Sequence, residues 1–252
     1  MNISKKLILV TLVGFSLFAC GSNSGSQALT SFSQEESSET TLTLEERLHN
    51  AYLDVIETKE ENLRDLVTLT EDDERVTWNQ EKDKVLLFTF HRYPTSYPDG
   101  EQVTFSWGES WVCSVKELEN WYIANKSNIE DPLLRIKQVL GMSHESRNTY
   151  ITSMCFDPND VQRPAYVNDA TKQMKTTFDE NVTDEYKNWF YSQYYYSYDV
   201  SKLPWTRLGY TYDWSEEAKD KYGLTEFIAW KGTSVTVEKT LPVEEFLATF
   251  DK

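Results

Sequence analysis

The run Val85-Leu86-Leu87-Phe88-Thr89-Phe90 is apolar on both faces. It constrains the fold more than any other stretch, because a strand with two apolar faces belongs in the middle of a sheet. Val103-Thr104-Phe105-Ser106-Trp107 alternates as a strand with one solvated face does, and Trp111-Val112-Cys113 predicts a further strand. Between the first two runs lies a turn-rich stretch, Pro94 to Gly100, with Pro98-Asp99-Gly100 its strongest turn signal. The expectation is a hairpin of 85–90 with 103–107 about a long loop.

Helices are announced by their ends. Thr43 with Glu46 has the form of a capping box, and Leu44, Leu48, Tyr52, Val55, Lys59, Leu63 and Leu66 then recur at helical spacing, predicting a helix over 44–67. Ser114 with Glu117 precedes a helix over 115–125. Asp131-Pro132 starts another that Gly141 is placed to stop, and Thr183 precedes one running to Tyr198. Strands are expected at 150–156 and 208–214, a hairpin of 227–231 with 234–239 about Gly232, and a short helix at 243–250. The mixture predicts α+β, a single domain over 43–252 with a mainly antiparallel sheet and several flanking helices.

The N-terminus carries a different kind of signal. Lys5 and Lys6 precede an apolar run, Leu7 to Phe18, that ends in Leu17-Phe18-Ala19-Cys20. The run is about 12 residues, short of the ~20 a membrane-spanning helix needs. This arrangement resembles the signal peptide and lipobox of bacterial lipoproteins. The resemblance covers roughly the first 20 residues. It implies that residues 1–19 are removed by cleavage between Ala19 and Cys20, and that Cys20 carries a thioether-linked diacylglycerol. The protein would then sit on the outer side of the cell membrane, or at an outer membrane, held by lipid. Residues 20–42, rich in Ser, Thr, Gly, Gln and Glu, read as a flexible tether with a mean reach of ~25–30 Å.

The formal charge is −16, and removing Lys5 and Lys6 with the leader takes it to about −18. Such acidity argues against nucleic acid as a partner and against attraction to anionic lipid; solubility alone accounts for it. With Cys20 assigned to lipid, Cys113 and Cys155 remain. An even remainder in a compartment that permits disulfides predicts a bridge between them, the alternative being two unpaired buried thiols.

Catalytic signatures are scarce. The sequence contains no Gly-x-Ser-x-Gly elbow, phosphate loop, dinucleotide glycine motif or His-Glu-x-x-His, and neither a cofactor nor a metal is expected. The acidic run Glu71-Asp72-Asp73-Glu74 reads as a solvated loop rather than a calcium site. Of three histidines, His49 reads as surface, while His91 and His144 are the only weak catalytic candidates.

Aromatic residues make up 14% of the chain and crowd into two stretches, 186–198 and 204–214. A helix ringed by Trp189, Phe190, Tyr191, Tyr194, Tyr195, Tyr196 and Tyr198 leaves no polar face, so some rings must be covered or form a patch. Trp205, Arg207, Tyr210, Tyr212 and Asp213 combine flat rings with directional polar groups. With Trp189 and Tyr195 they form a candidate ligand-binding set for an envelope glycan, peptide or protein; the competing reading is an aromatic core. Two functions follow. One is a non-enzymatic binding or interaction module of the cell envelope. The other is a small anchored hydrolase of envelope polymers or peptides, which needs a cleft where His91 or His144 meets a carboxylate such as Asp213 or Glu109.

Overall fold

A computed structural model of the protein describes residues 41–251. The leader, Cys20 and nearly all of the tether lie outside the described residues. The doubly apolar run is β1 (Val85–His91), and it takes the central place its composition demands: β3 (Ser110–Ser114) pairs on one side and β4 (Tyr150–Phe156) on the other. Outward from β4 come β8 (Ser234–Pro242) and β2 (Gln102–Thr104). Outward from β3 comes β7 (Tyr222–Ala229), whose far edge is shared by β5 (Val161–Gln162) and β6 (Tyr210–Tyr212). Every strand pairing is antiparallel. With α1 (Leu44–Asp54), α2 (Val115–Asn125), α3 (Pro132–Val139), α4 (Asp184–Tyr195) and α5 (Val243–Ala248), this makes one α+β domain.

Alternation along β1 sorts the core into two layers. Val85 and Leu87 face a cluster with Val112, Met154, Phe227 and Val237, closed by the extended segment carrying Val67, Leu69 and Val76. Phe88 and Phe90 face the opposite way, against Leu118 of α2, Ile136 of α3 and Phe246 of α5. The sheet is curled. The connection 230–233 joins β7 to β8, which stand four inter-strand spacings apart, ~19 Å in a flat sheet. Five Cα steps reach at most ~17–18 Å. Curling lets both strands contribute Phe227, Ala229, Val235 and Val237 to the same cluster.

The helix starts are where the sequence puts them: Thr43 forms its capping box with Glu46, and Ser114, Asp131 and Thr183 each accept a backbone N–H at their helix starts. Gly141, at φ +64°, follows α3 as expected of a stop. Three expectations are corrected. The first helix ends at Asp54 instead of 67, because the carbonyl of Val55 accepts from Arg207 and Tyr198, and that of Ile56 from Arg207. Those side chains take the place of continued helix, and Leu66 and Val67 reach the core on an extended chain. The two hairpins do not form either: β1 pairs with β3 and β4 while β2 pairs with β8, and β7 and β8 do not pair with each other. Within the described residues no helix is long and apolar enough to cross a membrane.

Cys113 and Cys155 are free thiols, correcting the expected bridge. They lie on β3 and β4 with β1 between them, opposite Phe88 and Leu86 respectively. Two inter-strand spacings separate their backbones by ~10 Å before the offset in register is added, beyond the ~7 Å that a disulfide tolerates between Cα atoms. Burial pushes the Cys113 thiol far up, helped by Glu117 and Glu226. Burial likewise lifts Cys155 to about 12, where it donates to Glu238 at 3.3 Å.

Candidate functional site

The expected aromatic set does not converge as a whole: Tyr212 and Asp213 border an open pocket of about 430 Å³ beside α1, with Arg47, Glu216 and Lys221, and the other members lie elsewhere. Trp205 is 7% exposed and packs on Phe190 at 4.9 Å between ring centroids. The Arg207 guanidinium is buried, capping the end of α1 and lying 4.9 Å from the centre of the Tyr198 ring. Asp213 is held by both terminal nitrogens of Arg135, at 2.9 and 2.6 Å, in a buried ion pair. Tyr210 is buried and donates to the Asn62 carbonyl, while the half-buried Tyr212 donates to Asp54. Tyr195 stands apart, 62% exposed on the outer side of α4. These residues serve several separate structural contacts, and of the set only Trp189 lines one of the aromatic clefts.

An open aromatic space lies elsewhere, at the end of the sheet where β1 finishes and β3 begins. It is a cleft of about 520 Å³, a size that suits a small ligand. Tyr93 and Trp107 are 55% and 53% exposed there, Tyr97 is buried, and the Tyr97 and Trp107 rings meet edge to face at 5.8 Å. Thr89, Ser96 and Ser110 add hydroxyls, and Glu109 supplies a carboxylate. The Glu109 Oε1 accepts from Trp189 Nε1 at 3.4 Å and from Gln193 at 3.3 Å, both on α4. Its Oε2 makes no hydrogen bond among the described residues.

His91 lies against this cleft, with both ring nitrogens engaged. The Tyr93 N–H donates to Nδ1 at 3.1 Å, so Nε2 carries the proton and donates to Thr152 Oγ1 at 2.6 Å. The Thr152 hydroxyl in turn donates to Thr240 Oγ1, which donates to the Tyr97 carbonyl. Burial lowers the His91 pKa to about 4. The ring thus works as a neutral strut tying the cleft wall to β4 and β8. His144 meets the exposed Glu45 at 3.1 Å and lines neither aromatic cleft.

A second cleft, about 420 Å³, opens at the same end of the sheet beside α4. Trp189 and Trp230 form its aromatic walls, 5.0 Å apart and edge to face, and Gln162, Asn168, Thr183 and Glu185 its polar ones. The two clefts flank one rim, since Ser110 and Ala229 are register partners on β3 and β7.

Comparison with known proteins gives no family. No protein-family description, curated protein or solved structure matches the chain.

Behind Trp111, which also lines the larger cleft, a small inner cavity of about 90 Å³ is bounded by Phe88, Cys113, Met142 and Glu226. Glu226 is buried with its Oε1 unpartnered, and burial raises its pKa to about 8 against a weaker opposing contact from Trp205. The nearby Glu117 is raised to about 7 by burial, although Thr225 donates to both of its oxygens.

The acidic run 71–74 is spent on local structure. Burial alone would raise Asp73, but hydrogen bonds from Arg75 and from the Thr68 and Arg75 backbones hold it at about 2, and Glu71 pairs with Lys82. Among the described residues no cluster of His, Cys, Asp and Glu is arranged to hold a metal.

The cleft was missed in the sequence although a signal was present. Trp107-Gly108-Glu109-Ser110-Trp111 alternates ring, carboxylate, ring at every second position. Glu109 entered the reading only as a partner for a catalytic histidine.

Proposed function

We propose that this chain is a membrane-anchored extracytoplasmic lipoprotein whose folded domain is a non-enzymatic binding module of the cell envelope. The anchor is Cys20 and the binding site is the cleft around Trp107 and Glu109. The observation that carries the reading is the pairing of exposed Tyr93 and Trp107 with a free carboxylate oxygen on Glu109, beside a histidine whose nitrogens are both already engaged. Rings set to stack and one oriented acceptor suit recognition of a polar ligand with flat apolar faces. A hydrolase working through His91 would require a ring nitrogen free to face the ligand, and the bonding of both nitrogens counts against that role.

The two parts separate experimentally. Cys20→Ala in the full chain is expected to lose palmitate label and to accumulate unprocessed; normal maturation and labelling would overturn the anchor. For the domain, retention of envelope fragments by the full-length protein is expected to fall at least ten-fold in Trp107→Ala and Glu109→Gln, with unchanged thermal unfolding. Equal retention by both variants and the parent would remove the cleft as the binding site.

A further inference from the structure

Resting on that binding reading, we infer that the two aromatic clefts are subsites of one bent groove that takes a neutral oligosaccharide chain across the rim of the sheet.

Glu109 lines the larger cleft and accepts from Trp189, which lines the smaller. Trp111 of the larger cleft lies 6.3 Å from Trp189 between ring centroids, and Trp189 lies 5.0 Å from Trp230. Rings and polar groups thus succeed one another from Trp107 to Trp230. A ligand filling only one cleft would leave the other's tryptophans unused.

Charge narrows the class. Among the described residues lining either cleft there is no lysine or arginine, and each cleft carries one glutamate. Of the cations next in sequence to lining residues, Arg92 is directed over the Tyr93 ring at 4.9 Å, Arg163 is buried and donates to the Val67 and Asp169 carbonyls, Lys187 pairs with Asp184, and the exposed Lys231 lines neither cleft. An anionic chain would meet a carboxylate in each cleft with no cation in the lining to offset it, and the protein's −16 would repel it further. What the walls offer is ring faces together with side-chain amides (Gln162, Asn168), hydroxyls (Thr89, Ser110, Thr183) and carboxylate acceptors. That is the complement of a pyranose, whose C–H face stacks on a ring while its hydroxyls both donate and accept. A cationic peptide would satisfy the two glutamates but would leave the amides and hydroxyls with little to do.

The test is intrinsic tryptophan fluorescence of the full-length protein in detergent, titrated with cellohexaose, maltohexaose and chitohexaose. Glucose, hexagalacturonate and hexalysine serve as controls. At least one neutral hexasaccharide is expected to bind ten-fold or more tightly than glucose, with hexagalacturonate silent. Trp107→Ala and Trp230→Ala are each expected to weaken that hexasaccharide at least ten-fold. Glu185→Ala, at an exposed position of the smaller cleft, guards against a Trp230 variant that misfolds and is expected to weaken binding about three-fold. If Trp107→Ala abolishes binding while Trp230→Ala and Glu185→Ala leave it unchanged, the single groove is wrong and the binding module stands. If hexalysine binds in a Trp107-dependent way and no hexasaccharide does, the ligand class is wrong and the cleft stands. If no probe binds while Trp107→Ala still abolishes retention of envelope fragments, the glycan inference falls alone.

Discussion

The segment 186–214 and the segment 93–111 are both rich in aromatic residues, and the fold uses them in opposite ways. In the first, Tyr186, Phe190, Tyr198, Trp205, Tyr210 and Trp214 are all buried, and the polar residues among them, Arg207 and Asp213, are spent on buried contacts. In the second, Tyr93 and Trp107 stay open beside a carboxylate with one free oxygen. While Tyr191, Tyr195 and Tyr196 stay more than half exposed on the outer side, most rings in the dense run find one another and exclude water. A sparse run broken by Gly108 and Glu109 cannot do this, and its rings remain available. In this chain the denser aromatic segment supplies most of a core layer, and the sparser alternation of ring and carboxylate lines the proposed site.

The contrast can be broken most directly at Trp205. Trp205→Ala is expected to cost ~3–5 kcal/mol in chemical unfolding, as large-to-small changes in cores do. A loss below ~1 kcal/mol would mean that the ring is not part of the core. The next largest effect belongs to two buried acids, Glu226 in the inner cavity behind Trp111 and Glu117 held by Thr225. Glu226 and Glu117 are raised to about 8 and about 7, so the folded state holds protons that the unfolded chain has released. Their stabilising contribution is complete below the ordinary glutamate range and is lost as pH rises through those values. His91, lowered to about 4, acts with the opposite sign below about pH 6.5, so the clean window is pH 7 to 8. There stability is expected to fall by roughly 1.4 kcal/mol per pH unit for the one group still protonated. Glu226→Gln is expected to flatten that slope, as followed by urea midpoints; an unchanged slope would remove Glu226 as its source.

Smaller effects sharpen the other side. Trp107→Ala is expected to change folding stability by no more than ~0.5 kcal/mol, because the ring is half exposed. A large loss would show that the cleft is structural after all. Tyr195→Ala, on the exposed side of α4, is expected to alter neither stability beyond ~0.5 kcal/mol nor binding to envelope fragments. A binding loss there would extend the site onto α4.

What was legible in the sequence was local. Thr43, Ser114, Asp131 and Thr183 mark helix starts because a cap is a bond between residues three apart, and β1 reads as central because both of its faces are apolar. What was not legible was long-range. The end of α1 is decided by Tyr198 and Arg207, some 150 positions away, which no spacing within 44–67 reveals. The two expected hairpins fail because adjacency in sequence does not fix which strand edge is free. The cleft was hidden for the same reason: Glu109 and Trp189 lie 80 positions apart and meet only through the packing of α4 against the sheet.

The place of β8 has a consequence for how the chain acquires its shape. The next-to-last element of the chain is inserted between β2 and β4, and β2 has no other partner in the sheet. A chain that ends before Ser234, whether still on a ribosome or partway through a membrane, presents β2 alone and β4 with an open edge. Such edges invite pairing with other chains, and contacts between distant positions form slowly. The domain can therefore be finished only after nearly all of it has been delivered.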